Sequence, residues 1–240
     1  MISVSIIIPA HNEESTIIPL LKAVNSAVFE NSTVHFEIIV VNDSSTDTTL
    51  SLLEAKTSLY SILISTPKKS GKGGAALAGL TKASGDFILF QDADLEYSPD
   101  EYSSLLQPIV DLDADVVIGS RFLAPKTTRV HYFWNKCGNK AITLAFNLLN
   151  NTTFTDIYSC YLLYRRSLFE TTDLRYMGWE QHGEILTLAV RKGSRFFEVP
   201  ISYYGRTYEE GKKIRGRDII AIFFALLVTR FRSVGRATTG

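Results

Sequence analysis

Short β-branched apolar runs alternate with longer stretches of helical spacing over the first half of the chain. Residues 4–8 form one such run, closed by Pro9, and helical spacing follows over 14–28. Residues 36–41 form a second, closed by Asn42-Asp43, before a helix over 46–56 that Ser45 or Thr46 can cap. The pattern then predicts strands over 59–65, 87–90 and 115–119, with helices over 74–83 and 100–112 between them. Runs that are apolar on both sides, separated by helices, imply a mostly parallel sheet covered on both faces. The second half is less regular: helices over 135–149, 183–191 and 217–231, and strands over 161–164 and 196–201.

Polar residues of unusual type fall just past the strand ends. His11, Asn12 and Glu13 follow the first strand, Asp43 the second, Asp92 and Asp94 the fourth, and Arg121 the fifth. Ligands of such sheets bind outside the carboxyl ends of the strands, so these side chains are expected on one rim. Asp92-Ala93-Asp94 is the sharpest feature. Two carboxylates so close repel unless a cation lies between them, and hard oxygen ligands suit Mg²⁺ or Mn²⁺ that keeps waters and shares phosphate oxygens. Glu96 adds a third acid nearby. Lys72, flanked by Gly71 and Gly73 ahead of a helix, suits a phosphate, although the spacing of a P-loop is absent.

Composition narrows the partners. The 240 residues carry 25 Lys+Arg and 25 Asp+Glu, so nothing draws the chain as a whole to nucleic acid. Between Arg206 and Arg236, however, eight basic residues stand against three acidic ones, a balance that suits an anionic substrate or a lipid surface. Two cysteines, Cys137 and Cys160, make no disulfide framework and suggest a reducing compartment. The first residues lack a basic leader and read as a strand. The apolar run over 219–228 is shorter than the roughly 20 residues a membrane span needs. Helices 141–149 and 217–231 carry enough apolar surface to lie on a membrane or to pack as core.

Four motifs occur in the order typical of family 2 glycosyltransferases: Pro9-Ala10-His11-Asn12-Glu13-Glu14, Val41-Asn42-Asp43-Ser44-Ser45-Thr46-Asp47, Gly71-Lys72-Gly73 and Gln91-Asp92-Ala93-Asp94. Gly119-Ser120-Arg121-Phe122 and the stretch from Tyr204 to Ile214 resemble more specifically the dolichyl- or polyprenyl-phosphate mannose/glucose synthase branch. The resemblance covers essentially the whole chain and implies an α/β GT-A fold: one domain over 1–240, with a nucleotide-sugar-binding half over 1–122, an acceptor half over 123–240 and a C-terminal amphipathic helix.

The resemblance also implies roles. Asp92, Asp94 and Glu96 are expected at the metal, Mg²⁺ or Mn²⁺. Pro9, His11, Glu13, Asp43 and Ala93 are expected around the nucleoside, and Lys72, Arg121, Arg206 and Lys212 at phosphates. Asp92, Asp94 and Arg206 are the residues expected to carry catalysis. The implied reaction moves mannose or glucose, with inversion, from a GDP- or UDP-hexose to a polyprenyl phosphate at the cytoplasmic membrane face, by a peripheral enzyme. A hydroxyl acceptor is the alternative. It requires a general base, for which Asp156 and the Glu180–Glu184 segment are candidates, although Gln181 stands where relatives using hydroxyls often carry Asp. Cys160 departs from the branch's usual Gly. A nucleotide-sugar-binding regulator without activity is the non-enzyme alternative; the intact acids argue against it.

Overall fold

β-Branched apolar runs cannot leave their backbone groups unpaired in an apolar interior, and pairing them side by side solves this. In the computed structural model, which describes residues 1–30, 34–123, 133–205 and 216–233, they form one seven-stranded sheet. Its strands are β1 (Ile2–Ala10), β2 (Val34–Asn42), β3 (Ile62–Ser65), β4 (Phe87–Phe90), β5 (Val116–Ser120), β6 (Leu162–Arg165) and β7 (Phe196–Pro200). Their order across the sheet is β3-β2-β1-β4-β6-β5-β7. β6 runs antiparallel between β4 and β5; all other pairings are parallel. Ile6, Ile7 and Ile8 on β1 are fully buried, as are Ile88 and Leu89 on β4, because helices cover both faces.

Among the described residues seven α-helices accompany the sheet: α1 (Ile17–Glu30), α2 (Thr49–Glu54), α3 (Gly71–Leu80), α4 (Tyr102–Leu112), α5 (Phe133–Asn150), α6 (Glu180–Lys192) and α7 (Gly216–Phe231). Several begin away from their expected starts, for identifiable reasons. α2 starts three residues late and takes no cap from Ser45 or Thr46. The amides of Thr46 and Thr48 are instead bonded by Asn12 Oδ1 (2.8 Å) and Glu14 Oε2 (3.0 Å) from the loop after β1. α3 starts three residues early because the Asp43 carboxylate accepts the amides of Ser70 and Gly71, both at 2.8 Å, capping the helix from 27 residues away. β3 starts at Ile62 because Thr57–Leu59 is a 3-10 turn.

α7 packs against α5 and α6. It buries Ile222, Ala225 and Leu226 while leaving Ile220, Phe224, Val228 and Phe231 exposed. No helix among the described residues is long and apolar enough to cross a membrane.

Register sets up the rim. Ala10 pairs with Asn42, so the loops after β1 and β2 leave the sheet together. Ile7 pairs with Phe90, and the Gln91 amide bonds the Ile7 carbonyl, so β4 ends beside them. β1 is where the strand order reverses, since β2 and β3 extend one way and β4 the other. A crevice opens at such a switch point.

Candidate active site

The turns past β1, β2 and β4 each contain one non-glycine residue in the left-handed region: Asn12 (φ 55°), Ser44 (φ 53°) and Leu95 (φ 61°). Such conformations are sparsely populated and persist where surroundings over-determine them. Leu95 falls between Asp94 and Glu96. Gln91 holds the same turn from below. Its Oε1 accepts from the hydroxyls of Tyr102 (2.8 Å) and Tyr161 (2.9 Å), and its Nε2 donates to the carbonyls of Asp92 (3.0 Å) and Tyr97 (3.3 Å). With every polar atom of this buried amide used, the 91–97 turn has little freedom.

Two clefts meet over Asp92 and Asp94. The first is lined by Pro9, His11, Glu13, Asp43, Lys72 and Ala93, among others. The second is lined by Lys72, Glu96, Arg121, Trp179, His182 and Tyr203, among others. Asp92, Asp94, Lys72 and Pro9 line both. Every expected site residue within the described part of the chain therefore lies on one or both walls. Arg206 and Lys212 lie outside the described residues.

At the first end, His11 Nδ1 is 2.8 Å from the Asp43 carbonyl and its Nε2 is 2.8 Å from Lys69 Nζ. A carbonyl only accepts and an ammonium only donates, so the proton is on Nδ1. Glu13 is buried, and its Oε2 accepts from the Thr16 hydroxyl at 2.9 Å. Asp43 is more of an organiser than its sequence position indicates. Besides the two amides it accepts from the hydroxyls of Ser70 (2.7 Å) and Thr66 (2.9 Å). Burial works to raise its pKa, but these hydrogen bonds prevail and hold it below the ordinary carboxylate value.

Lys72 comes to the junction because α3 packs on the loop before α6 without a gap. A Cβ on Gly73 would lie 2.5 Å from the carbonyl carbon and oxygen of Met177, so only glycine fits. The Lys72 ammonium lies 2.5 Å from Asp92 Oδ1 and 5.3 Å from the centre of the Trp179 ring. Burial opposes the lysine's charge, yet Asp92 drives its pKa well above the ordinary value. The same contact keeps Asp92 ionised against its own burial.

The pair fits a divalent cation by its donor chemistry. Asp92 and Asp94 offer two hard carboxylates, and Mg²⁺ or Mn²⁺ takes one or two of these together with water and phosphate oxygens. The chain's own ammonium already sits on one of them. Among the described residues no three His, Cys, Asp or Glu side chains converge as a ligand set. Glu96, expected as a third ligand, accepts from the Tyr203 hydroxyl at 2.7 Å.

Two of the acids considered as a general base, Asp156 and Glu184, have other work. Asp156 is fully buried and holds Arg121 in a two-point ion pair, Nε to Oδ2 at 2.7 Å and Nη2 to Oδ1 at 2.8 Å. Glu184, also fully buried, accepts the amides of Arg175 and Tyr176 and pairs with Arg232 at 2.7 Å. Neither is available for proton transfer without breaking a buried ion pair. Trp179, Tyr158 and Tyr203 were not legible as cleft residues. The close approach of Gly73 to Met177 is the contact that brings Trp179 in, and a bare glycine in a helical run is the one trace of it in the sequence.

Comparison with known proteins identifies the family of the chain. The family profile described as Glycosyl transferase family 2 matches residues 5–172. Among curated proteins the chain is 28% identical over 251 residues to UDP-N-acetylglucosamine–dolichyl-phosphate N-acetylglucosaminyltransferase of Methanococcus voltae, covering 95% of this chain and 96% of that one. It is 29% identical over 219 residues to dolichol-phosphate mannosyltransferase of Pyrococcus furiosus, covering 90% of this chain but only 60% of that protein. Among solved structures, glucosyl-3-phosphoglycerate synthase from Mycobacterium tuberculosis superposes with a TM-score of 0.68 at 21% identity, covering 95% of this chain and 80% of that one. The same enzyme in complex with Mn²⁺, uridine diphosphate and glucosyl-3-phosphoglycerate gives 0.67 at 21% identity, with the same 95% and 80% coverage. At that identity the likeness is one of fold.

Proposed function

Because this chain belongs to glycosyl transferase family 2, we propose that it transfers a hexose, mannose or glucose, from a nucleoside diphosphate sugar to a polyprenyl phosphate, inverting the anomeric centre. The observation that carries this reading is the junction of the two clefts. Asp92 and Asp94 lie between an end fit for a nucleoside and an end fit for a sugar and its acceptor. The dolichyl phosphate named for both curated relatives supports the lipid acceptor.

The chemistry follows from the residues. An oxygen of the acceptor phosphate forms the new bond to the anomeric carbon. The bond from that carbon to the donor diphosphate breaks, and its electron pair leaves with the nucleoside diphosphate. A phosphate oxygen is already anionic near neutral pH, so no proton has to be removed. This agrees with Asp156 and Glu184 both being held in buried ion pairs. Asp92 and Asp94 are the residues that would hold Mg²⁺ or Mn²⁺, which supplies neutralisation of the leaving charge. Glu13, Asp43 and the wall formed by Pro9 and His11 are assigned to the nucleoside. Lys72 and Arg121 are assigned to phosphates, as are Arg206 and Lys212 from their motif.

The proposed place of action is the cytoplasmic face of a membrane. Trp134, Leu144 and Leu148 on α5 and Ile220, Phe224 and Phe231 on α7 are exposed on two helices that pack together. An apolar face of this kind suits peripheral contact with lipid.

The test is divalent-cation-dependent release of nucleoside diphosphate from UDP- and GDP-hexoses, with and without a polyprenyl phosphate. Release that requires the lipid phosphate supports the reading. Release that requires a sugar hydroxyl instead, or none from any donor, overturns it.

A further inference from the structure

A lysine in the first cleft has no task in the proposed reaction. Lys69 lies in the loop between β3 and α3, and it lines the cleft of Glu13 and Asp43 but not the second cleft. The loop is fixed at both ends. At one, the Thr66 hydroxyl donates to Asp43 Oδ1 at 2.9 Å, and the Thr66 carbonyl accepts from the Ser44 hydroxyl at 3.0 Å. At the other, the amides of Ser70 and Gly71 donate to the Asp43 carboxylate, both at 2.8 Å. The backbone around Lys69 is thus fastened to the turn after β2.

The side chain is held as well. Its ammonium lies 2.8 Å from His11 Nε2, and His11 Nδ1 lies 2.8 Å from the Asp43 carbonyl. One partner only donates and the other only accepts, so the ring is neutral with its proton on Nδ1. Among the described residues Lys69 has no further hydrogen-bond or ion-pair partner. Two of its three N–H donors are therefore unused, on a residue that is exposed. Lys72, three positions on, differs: its ammonium is paired with Asp92 where the two clefts meet. A lysine tied to a neutral ring keeps its charge uncompensated, and a hydrogen bond it gives to a ligand is charge-assisted.

The chemistry of the ligand follows from the two kinds of group that share this cleft. The Glu13 carboxylate only accepts and the Lys69 ammonium only donates. Together they fit a base edge that presents an N–H next to a carbonyl oxygen: N3–H and O4 of uracil, or N1–H and O6 of guanine. Cytosine and adenine present the reverse, an acceptor nitrogen next to an amino group. With those bases an amino group would face the ammonium and a lone pair would face the carboxylate. We propose that Lys69 donates a hydrogen bond to the carbonyl oxygen of the nucleobase, with His11 as the residue that positions it, so that the site selects keto bases over amino bases. The assignment rests on the transferase reading, which places the nucleoside in this cleft, and adds to it the residue that reads the base.

The experiment is calorimetric titration of the full chain, with Mn²⁺, against UDP, GDP, CDP and ADP. The wild-type chain is compared with Lys69→Met, His11→Phe and His11→Gln. Wild type should bind UDP or GDP at least about tenfold more tightly than CDP and ADP, and the better of the two identifies which base supplies the carbonyl. Lys69→Met should weaken that nucleotide by about tenfold and leave CDP and ADP unchanged, so that the discrimination collapses. His11→Phe keeps a ring in the wall but gives Lys69 no acceptor, and should lose part of the same discrimination. His11→Gln, whose amide oxygen can accept, should recover it. Equal weakening of all four nucleotides in Lys69→Met would put the lysine at the phosphates, and that result overturns the assignment. So does an unchanged preference in Lys69→Met, or a wild-type chain that does not discriminate; each leaves the transferase reading intact. Unchanged discrimination in His11→Phe overturns the positioning role of His11. A wild-type chain that binds none of the four overturns the transferase reading and this inference with it. If His11→Phe does not fold, Lys69→Met, altered at an exposed position, decides.

Discussion

The ammonium of Lys72 lies 2.5 Å from Asp92 Oδ1, so the carboxylate proposed to hold a metal is already paired with a cation belonging to the chain. A metal held there would compete with the lysine for Asp92, and a bound diphosphate would share both. In Lys72→Met, Mn²⁺ alone is expected to bind several times more tightly, because one competing positive charge is gone. UDP or GDP in the presence of Mn²⁺ should bind about tenfold more weakly, for want of a charge-assisted hydrogen bond. Calorimetry with Mn²⁺ alone checks the first part; unchanged affinity there would mean that the ion pair does not compete.

Asp94→Ala is expected to lower turnover by at least about a hundredfold, since neutralising a leaving diphosphate is worth several kcal/mol. Its melting temperature should stay within a few degrees of wild type, because the Asp94 hydrogen bond to Glu96 N is long at 3.3 Å and the turn is held by Gln91. Full turnover in this variant with metal present would remove the pair from the mechanism.

The Arg121–Asp156 pair makes a prediction about stability. Asp156→Ala leaves a buried guanidinium uncompensated and should cost about 3–5 kcal/mol in chemical denaturation. The double variant Arg121→Met with Asp156→Leu should recover much of that. A loss of rate with stability unchanged would return Asp156 to the role of general base.

His182 predicts a pH dependence. Its pKa falls from the ordinary 6.5 to about 4 on folding, so between those values the unfolded chain binds the proton and the folded chain does not. Its contribution is fully present above about pH 6.5 and is lost as pH falls toward 4, by as much as about 3 kcal/mol. His182→Gln should flatten the stability curve across that window, and denaturation at pH 7, 5.5 and 4.5 compares the two slopes.

The apolar face predicts association with lipid. Replacing Leu148 and Phe224 together with serine should reduce flotation with anionic vesicles while leaving transfer from the sugar nucleotide to a short, soluble prenyl phosphate unchanged. Flotation equal to wild type would mean that other surfaces make the contact.

Much of the donor half was legible because its information is local. Each strand is a short apolar run ended by a turn residue, and the parallel arrangement follows from the helices between. The rule that ligands gather at carboxyl ends then brings Glu13, Asp43 and Asp92 together although no pairwise pattern links them. The errors were of range. Asp43 caps a helix 27 residues away, which no window of local sequence contains, so α3 was expected to start late. Asp156 looked like a candidate base because its basic partner, Arg121, lies 35 residues distant.

The sequence by itself determined which residues stand at strand ends, because strand and turn propensities act over a few residues. It also determined the pairing of two carboxylates across Ala93. Only the tertiary structure decided what faces them. The antiparallel insertion of β6 between β4 and β5 draws the 155–160 loop, with Tyr158 and Cys160, up to Asp92. The contact of Gly73 with Met177 brings in Trp179 and His182. Such contacts join residues from about 70 to more than 100 positions apart, and they exist only once burial of the shared core has chosen one strand order over the alternatives. That choice is made by the summed packing of the whole sheet, and no single segment carries it.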